Sequence, residues 1–198
     1  MRRMISVWLP LLSIERLKRE RAERRAAPLS DESVPDEPFA LVGHEDRGLR
    51  LTALNAKAMR EGLCPGMGLA DARAICPQLA TATADPAKDA RALLALARWS
   101  DRYSPYLNVE GQDGLWLDVT GIPHLFGGED ALLADMARRL KALGFSTRIA
   151  IAETLGAAHA IARFAPASQT IVLAGKAKAA LASLPVEAST FQLGCQEG

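Results

Sequence analysis

Short apolar runs alternate with amphipathic stretches along most of the chain. Apolar runs of about four to eight residues between turn signals indicate buried strands, and apolar residues spaced three and four apart indicate helices. The pattern predicts strands over 5–9, 39–42, 49–54, 79–83, 107–109, 115–119, 147–151 and 170–173. It predicts helices over 13–27, 55–61, 69–76, 85–103, 129–143, 154–164 and 176–182.

The order of these elements predicts an α+β fold. From residue 79 it runs strand, helix, strand, strand, helix, strand, and together with 5–9 this describes a mixed sheet with two helices on one face. Residues 10–77 then form an insertion after the first strand, made mainly of helix and turn. Residues 28–38 are polar and rich in proline, so we expect an exposed loop there. After residue 168 the pattern weakens, which we interpret as a truncated chain.

Composition and charge narrow the class of protein. A chain of 198 residues, 49% hydrophobic and 24% charged, fits a globular cytoplasmic protein of one or two domains. The net charge of +1 does not itself indicate a nucleic-acid partner, because DNA-binding domains usually carry a clear basic excess. No apolar run approaches the roughly 20 residues that cross a membrane. Cys64, Cys76 and Cys195 lack CxxC spacing, which favours reduced thiols over a disulfide or a zinc site.

Several basic, histidine, tryptophan and glycine residues could bind a ligand, but a structural role explains each of them better. The basic residues between Arg16 and Arg25 could contact phosphates, but interleaved glutamates favour a solvated, self-paired helix face. The three histidines, His44, His124 and His159, show no metal-ligand spacing and are interpreted as surface or packing residues. Of the tryptophans, Trp8 and Trp99 are expected in the core, and the buried face of the strand at Trp116 stays open. Residues 127–129 are interpreted as a turn and helix start, since a phosphate loop would carry Lys-Ser/Thr.

Several longer motifs resemble one protein family. The stretch GQDGLWLDVTG at 111–121 resembles the second carboxylate motif in the palm of Y-family translesion DNA polymerases (UmuC domain). Asp113 fits the metal-binding aspartate of that motif, and Gly114 stands where the family has glutamate. The stretch GLCPGMGLADARAICP at 62–77 resembles the fingers helices. Together with WLPLLS at 8–13 and HLFGGE at 124–129, it is most similar to the ImuB-type group, and the resemblance covers about residues 4–164.

This resemblance implies a domain organisation and a role. It implies a palm over 1–9 and 78–173, fingers over 10–77, and the start of a truncated thumb or a disordered tail over 174–198. It also implies work in DNA repair and SOS mutagenesis, as an adaptor for an error-prone replicative-type polymerase. The expected partners of the full-length protein are that polymerase, a RecA-like accessory protein and the sliding clamp, with weak binding to damaged or primer–template DNA.

The same resemblance implies that the ligands of polymerase chemistry are missing. Two-metal catalysis needs several carboxylates around two Mg²⁺ ions, yet residues 1–14 contain no Asp or Glu and Gly114 replaces the family's glutamate. Ala56 and Met59 align with the family's phosphate-binding tyrosine and arginine, and Leu155 aligns with its palm lysine. Asp113 is then a remnant, and no metal, nucleotide or cofactor site is expected.

Asp118 and Glu110 are the acids that could complete a metal site with Asp113. Each is an odd number of positions from Asp113, and on a regular strand this spacing places the side chains on opposite faces. A bulge at Gly114 would break this alternation. We therefore predict that Asp118 bonds backbone amides or Thr120 at the strand end. An active translesion polymerase that uses Glu110 with Asp113 and Mg²⁺ stays an alternative, as does an interaction module without DNA binding.

Overall fold

The computed structural model describes residues 2–25, 37–46 and 48–185, which fall into two compact units. Unit 1 comprises Met1–Pro10 and Leu93–Gly198, and unit 2 comprises Leu11–Ala92. Most of the loop predicted at 28–38, the last residues of the helix predicted at 13–27, and Cys195 lie outside the described residues. Within the described ranges, none of the helices has the length and apolar character needed to span a lipid bilayer.

The helices and strands follow the predicted order. The strands are β1 (Met4–Trp8), β2 (Phe39–Glu45), β3 (Gly48–Leu54), β4 (Ala80–Thr83), β5 (Leu107–Glu110), β6 (Gly114–Asp118), β7 (Arg148–Ala152) and β8 (Gln169–Ile171). The α-helices are α1 (Leu12–Arg25), α2 (Ala56–Arg60), α3 (Leu69–Ile75), α4 (Pro86–Ser100), α5 (Glu129–Ala142), α6 (Leu155–Phe164) and α7 (Ala177–Ala182). A 3-10 helix at Pro123–Phe126, which was not predicted, precedes α5. The predicted α+β class is confirmed.

Strand β1 is the central strand of the sheet in unit 1, whose order is β5-β6-β1-β7-β8. All neighbouring pairs are antiparallel except β7 and β8, which are parallel. The register places Trp8 between Gly114 on β6 and Arg148 on β7. Because strand side chains alternate, Met4, Ser6 and Trp8 share one face of this sheet.

Helix α6 covers the face of the sheet that carries Trp8. Its small apolar side chains form a buried cluster with residues of β7, and Trp8 packs against that cluster, whose central members are Ala150, Ala152, Ala157, Ala158, Ile161 and Ala162. The opposite face is also closed, with exposure of at most 1% at Ile5, Val7, Leu115, Leu117, Ile149 and Ile151. Helix α5 contacts β7 and β8 without joining the α6 cluster, so it packs on that second face.

Unit 2 contains a three-stranded sheet with the order β3-β2-β4. Strand β4 pairs in parallel with β2, from Phe39 opposite Ala80 to Val42 opposite Thr83. The assignment of 79–83 to the larger sheet was therefore wrong. The pairing has a tertiary cause, since the small side chains of Ala80 and Ala82 pack against the buried cluster that contains Ile14 and Phe39.

The charged face of α1 is self-paired, as predicted from its interleaved acids. Glu20 accepts hydrogen bonds from Arg16, from Arg24 one turn later and from Lys88 of α4. Arg16 also donates to Asp89 and is buried, so this part of the helix face is not solvated as the sequence suggested. These ion pairs join α1 to the start of α4 within unit 2.

A hydrogen bond from Tyr103 to Asp135 links the segment after α4 to α5, at an oxygen–oxygen distance of 2.9 Å. Burial alone would raise the pKa of Asp135, but hydrogen bonds from Tyr103, Arg139 and Arg138 outweigh burial and hold that pKa below its ordinary value. A depressed carboxyl pKa stabilises the fold above the unfolded pKa of about 4. The contribution is lost as pH falls through the folded value.

We therefore expect Asp135→Asn to lower the free energy of unfolding by about 1 kcal/mol at pH 7 and by progressively less as the pH falls from 4 to 2.5. Chemical denaturation at pH 7, 4 and 2.5 measures this, with the exposed Asp101→Asn as the control. An equal loss at all three pH values would mean that packing, and not the carboxylate charge, accounts for the contribution of Asp135.

Candidate functional site

Asp113 lies in a turn and not on a strand. Strand β5 ends at Glu110, β6 begins at Gly114, and residues 111–113 form the turn between them. Gly111 takes a φ of +60°, a conformation that glycine adopts without steric cost. The backbone N–H of Leu9 donates to the Asp113 carbonyl oxygen at 2.8 Å, which fixes the turn beside the end of β1. The alternation of strand side chains therefore does not govern the direction of Asp113.

Two donors hold the Asp113 carboxylate. The indole Nε1 of Trp8 donates to Oδ2 at 2.8 Å. The guanidinium of Arg163 on α6 donates to Oδ1 at 2.8 Å and lies 3.5 Å from Oδ2. An arginine that reaches both oxygens of a carboxylate fixes its orientation as well as neutralising its charge. The side chains of Arg163 and Asp113 are 22% and 36% exposed, so this ion pair is partly open to solvent.

His159 lies one helical turn before Arg163 and connects it to Glu110. Arg163 Nε donates to His159 Nε2 at 3.0 Å, so the proton of a neutral imidazole lies on Nδ1. That nitrogen is 2.9 Å from Glu110 Oε2, although the two atoms do not meet the geometry of a hydrogen bond. Trp8, Glu110, Asp113, His159 and Arg163 are hereafter the polar network.

Glu110 and Asp113 thus approach neighbouring residues of the same helix. The expectation that they point to opposite faces is wrong, because residues 111–113 form a turn in which strand alternation does not hold. Each acid nevertheless has its own basic partner, His159 for Glu110 and Arg163 for Asp113. Across residues 2–25, 37–46 and 48–185, no group of three or more His, Cys, Asp and Glu side chains is arranged to hold a metal ion.

Gly114 is buried and closely surrounded. A Cβ atom at this position would lie 2.8 Å from the backbone oxygen of Glu110 and 3.3 Å from the Glu110 Cβ. Separations under 3.0 Å essentially never occur for real Cβ atoms, and the nearer atom belongs to the backbone, which cannot simply rotate away. The hairpin would therefore have to change to accept glutamate, the residue that the Y-family motif carries here.

A divalent metal does not fit the polar network. Mg²⁺ needs several oxygen ligands in near-octahedral geometry, whereas both Asp113 oxygens are engaged by Trp8 and Arg163. The residue of β1 that contacts Asp113 is a tryptophan, whose indole N–H is a donor only. The guanidinium also places a positive charge where a metal would have to bind, so a second cation is repelled.

Asp118 lies at the other end of β6, apart from the polar network. It accepts hydrogen bonds from the Thr120 backbone N–H at 3.0 Å and from Arg2 Nε at 3.2 Å. Burial alone would raise the pKa of Asp118, but the hydrogen bonds from Thr120 and Arg2 outweigh burial and lower it. The predicted structural role of Asp118 is confirmed, and Arg2 is an additional partner.

Ala56, Met59 and Leu155, the positions that the resemblance matches to nucleotide ligands, carry no charged or hydrogen-bonding side chain. Ala56 and Met59 are both exposed on the short helix α2 of unit 2, and Met59 is 46% exposed. Leu155 is the half-buried first residue of α6 in unit 1. An apolar side chain offers nothing to neutralise a triphosphate.

Sequence analysis missed Arg163 and undervalued His159. The usable signal was their spacing, because residues four apart on the predicted helix at 154–164 lie on the same helix face. Trp8 was expected to fill the core, and in the structure it is half-buried with its indole N–H in the polar network. His44 and His124 are exposed, as expected for surface residues.

Comparison with known proteins gives both a family and relatives. Residues 22–163 match the impB/mucB/samB family. Protein ImuB of Caulobacter vibrioides (strain NA1000 / CB15N) is 51% identical over 127 residues, which cover 64% of this chain and 28% of that protein. DNA polymerase IV of Dehalococcoides mccartyi (strain CBDB1) is 29% identical over 155 residues, which cover 77% of this chain and 40% of that protein. The chain therefore spans less than half the length of these relatives.

Solved structures share the fold. DinB from Sulfolobus solfataricus superposes with a TM-score of 0.70 at 13% identity, covering 88% of this chain and 49% of that one. Dbh DNA polymerase in an insertion ternary complex gives a TM-score of 0.72 at 15% identity, covering 86% of this chain and 48% of that one. At such low identity these similarities establish the fold alone.

Proposed function

The chain belongs to the impB/mucB/samB family, and we propose that it is a catalytically inactive Y-family-like module that serves DNA-damage tolerance as an adaptor. The resemblance to Y-family proteins of the ImuB type, first inferred from motifs, is confirmed by the family match, the ImuB relative and the solved structures. The observation that carries the proposal is the Asp113 carboxylate held by Arg163 and Trp8.

Nucleotidyl transfer requires more than this pocket offers. The two-metal route clamps the attacking and leaving oxygens between metal ions about 3.5–4 Å apart, held by several carboxylates. Here Asp113 is already neutralised by Arg163, and Gly114 has no side chain to contribute. The phosphate-binding positions Ala56 and Leu155 are apolar as well. The simultaneous change of metal and phosphate ligands supports an inactive module over a slow enzyme.

We interpret unit 1 as a palm and unit 2 as fingers. The motif at 111–121 lies in unit 1 and the motif at 62–77 lies in unit 2, which supports this assignment. The boundary at Ala92/Leu93 is later than the 77/78 boundary taken from the sequence, because β4 pairs with β2 in unit 2. Residues 174–198 stay interpreted as the start of a thumb or a tail.

As an adaptor, the protein would act through partners in the cytoplasm. We propose that the longer protein of this type joins an error-prone replicative-type polymerase, a RecA-like accessory protein and the sliding clamp in SOS mutagenesis. Contact with damaged or primer–template DNA would be weak and would run through the phosphate backbone, so it would be sensitive to salt and blind to sequence.

An active translesion polymerase is the second candidate, and one observation favours it. Glu110 and Asp113 converge on the same helix, contrary to the expectation from strand alternation. For catalysis, both acids would have to exchange their basic partners, His159 and Arg163, for metal ions. The loss of the Arg163–Asp113 ion pair and of the His159–Glu110 contact opposes that exchange, so we rank this candidate below the adaptor.

Primer extension tests the choice. We expect no extension above background when the full chain is incubated with primer–template DNA, all four deoxynucleotides and either Mg²⁺ or Mn²⁺, because no pair of metal ions can be held. An active Y-family polymerase under the same conditions is the positive control. Templated synthesis by the wild-type chain that disappears in Asp113→Ala would refute the adaptor proposal and establish the second candidate.

A binding titration separates the adaptor from an interaction module without DNA contact. We expect weak binding of gapped DNA at about 50 mM salt that falls at least roughly tenfold at about 200 mM, since backbone contacts release counterions. Fluorescence anisotropy of labelled DNA with the full chain measures both values. If binding is absent at the lower salt concentration, the module without DNA contact is the better description.

A further inference from the structure

We propose that Arg163 is the resident counterion of the polar network, holding the Asp113 charge that metal ions hold in metal-dependent polymerases. In this role it fixes the β5–β6 turn to α6 without any ion from solution. The inference deepens the proposed function and rests on it in one respect, the assignment of this pocket to a polymerase-like site that no longer binds metal.

Three elements of the fold form a cation site around the guanidinium of Arg163. The turn supplies the Asp113 carboxylate at 2.8 Å, and α6 itself supplies the His159 Nε2 acceptor at 3.0 Å. Strand β1 supplies the indole ring of Trp8, whose centroid lies 5.1 Å from the Arg163 Cζ. Tryptophan is the aromatic side chain that attracts cations most strongly. A carboxylate, an imidazole acceptor and an aromatic face together suit a cation.

Glu110 supports this site through His159. Because Nε2 of the imidazole accepts from Arg163, its Nδ1 carries the proton and faces Glu110 Oε2 at 2.9 Å. The negative charge of the carboxylate beside Nδ1 favours the tautomer that carries its proton there, and this tautomer presents Nε2 to the guanidinium as an acceptor. His159 is only 4% exposed, so the ring has little room to turn. Glu110 and His159 are therefore positioning residues for Arg163.

A second arginine lies near Trp8 but is committed elsewhere. Arg148 Cζ is 6.0 Å from the Trp8 ring centroid. Its Nε donates to the carbonyl oxygen of Ala162 at 2.8 Å, and its terminal nitrogen donates to the carbonyls of Ala165 and Ala167. Arg148 therefore binds the carbonyl groups at the C-terminal end of α6. Arg163 is the arginine that neutralises the charge of Asp113.

A tethered cation differs from a metal ion in one measurable way. It cannot dissociate, so the pocket keeps its charge balance at any concentration of divalent ion. A metal site would instead be stabilised by mass action as the ion concentration rises. The melting temperature of the wild-type chain should therefore not respond to Mg²⁺ or Mn²⁺.

The test is a double-mutant cycle on the full 198-residue chain, read by thermal melting. Arg163→Gln leaves Asp113 without its counterion, and Asp113→Asn leaves the guanidinium without its anion while keeping an acceptor for the Trp8 indole. We expect each single variant to lower the melting temperature by roughly 5 °C. The double variant should be no less stable than either single variant, because neither charge is left uncompensated.

Matched variants keep the result interpretable. Arg138→Gln makes the same change at an exposed helix position and should shift the melting temperature by about 1 °C or less. Arg163→Lys keeps the charge without the planar fork and should recover part of the loss. If a variant does not fold, Trp8 fluorescence in a Trp99→Phe, Trp116→Phe background reports how far the wild-type network resists urea with and without Mn²⁺.

Two results would overturn the proposal. The first is additive losses in the cycle, which would mean that the charges of Arg163 and Asp113 are not coupled. The second is a rise in wild-type melting temperature or urea resistance on addition of about 10 mM Mn²⁺, which would mean that a metal competes for the pocket. Failure of the proposed function would show instead as primer extension, so the two failures are distinguishable.

Discussion

Replacing Gly114 with glutamate, which restores the residue of the Y-family motif, should lower the free energy of unfolding by at least about 3 kcal/mol and should not create polymerase activity. The Cβ alone would approach the Glu110 backbone oxygen to 2.8 Å. The new carboxylate would also enter a buried position beside Glu110, and two neighbouring like charges oppose each other's ionisation. Steric and electrostatic costs therefore add.

Alanine variants separate these two costs. Gly114→Ala carries only the steric one, and we expect it to lose about 1–3 kcal/mol. Gly156→Ala is the matched control, because a Cβ at Gly156 on α6 meets nothing within 4 Å and its φ is not positive. That control should be neutral or stabilising by up to about 1 kcal/mol, since alanine favours helix. Urea unfolding of the three variants beside wild type measures the differences.

A Gly114→Glu chain as stable as wild type would contradict this account of the hairpin. It would mean that the turn at 111–113 relaxes to admit a side chain at little cost. Primer extension by the same variant checks the second half of the prediction. Synthesis above background would show that one added carboxylate is enough to recruit metal despite Arg163, which the polar network argues against.

The local part of the fold was accessible from the sequence because its signals are local. The helix at Pro86–Ser100 begins after Asp85, whose Oδ1 accepts from the backbone N–H of Lys88 as a capping residue should. Similarly, Asn55 caps α2 through the N–H of Ala58. Apolar periodicity and caps lie within a few residues of each other, so no tertiary information was needed to find these elements.

The pairing of β4 was not accessible in the same way. An alternating or apolar run identifies a strand, but its partner depends on side chains far away in sequence. Ala80 pairs with Phe39 because the small side chains of β4 fit the cluster around Ile14 and Phe39. Nothing in the run at 79–83 distinguishes this sheet from the one that contains β1.

The candidate site shows the same division between local and tertiary information. The resemblance to the Y-family motif implied that Gly114 stands in place of a glutamate and that Asp113 is the one matching metal ligand. The direction of Asp113 required knowing that β6 begins at Gly114, which places the acid in a turn. The partner Arg163 lies 50 positions away and became visible only when α6 was packed on the sheet.

Trp8 both packs against apolar side chains and donates a hydrogen bond. We expect Trp8→Ala to lower the free energy of unfolding by about 3 kcal/mol. The change removes an indole that packs against the α6 cluster, the N–H that holds Asp113, and the aromatic face beneath Arg163. Trp8→Phe keeps a ring but loses the N–H, so we expect it to cost about 1 kcal/mol.

The ratio of the two losses, measured by urea unfolding, identifies what Trp8 contributes. A loss for alanine about three times that for phenylalanine would assign most of the contribution to ring packing and the cation–π contact, with the hydrogen bond to Asp113 as a smaller part. Equal losses would contradict that order and make the indole N–H the dominant contact. The double variant Trp8→Phe, Asp113→Asn then tests whether the two residues are coupled. If the hydrogen bond depends on the charge of Asp113, the double variant should lose less free energy of unfolding than the sum of the two single losses.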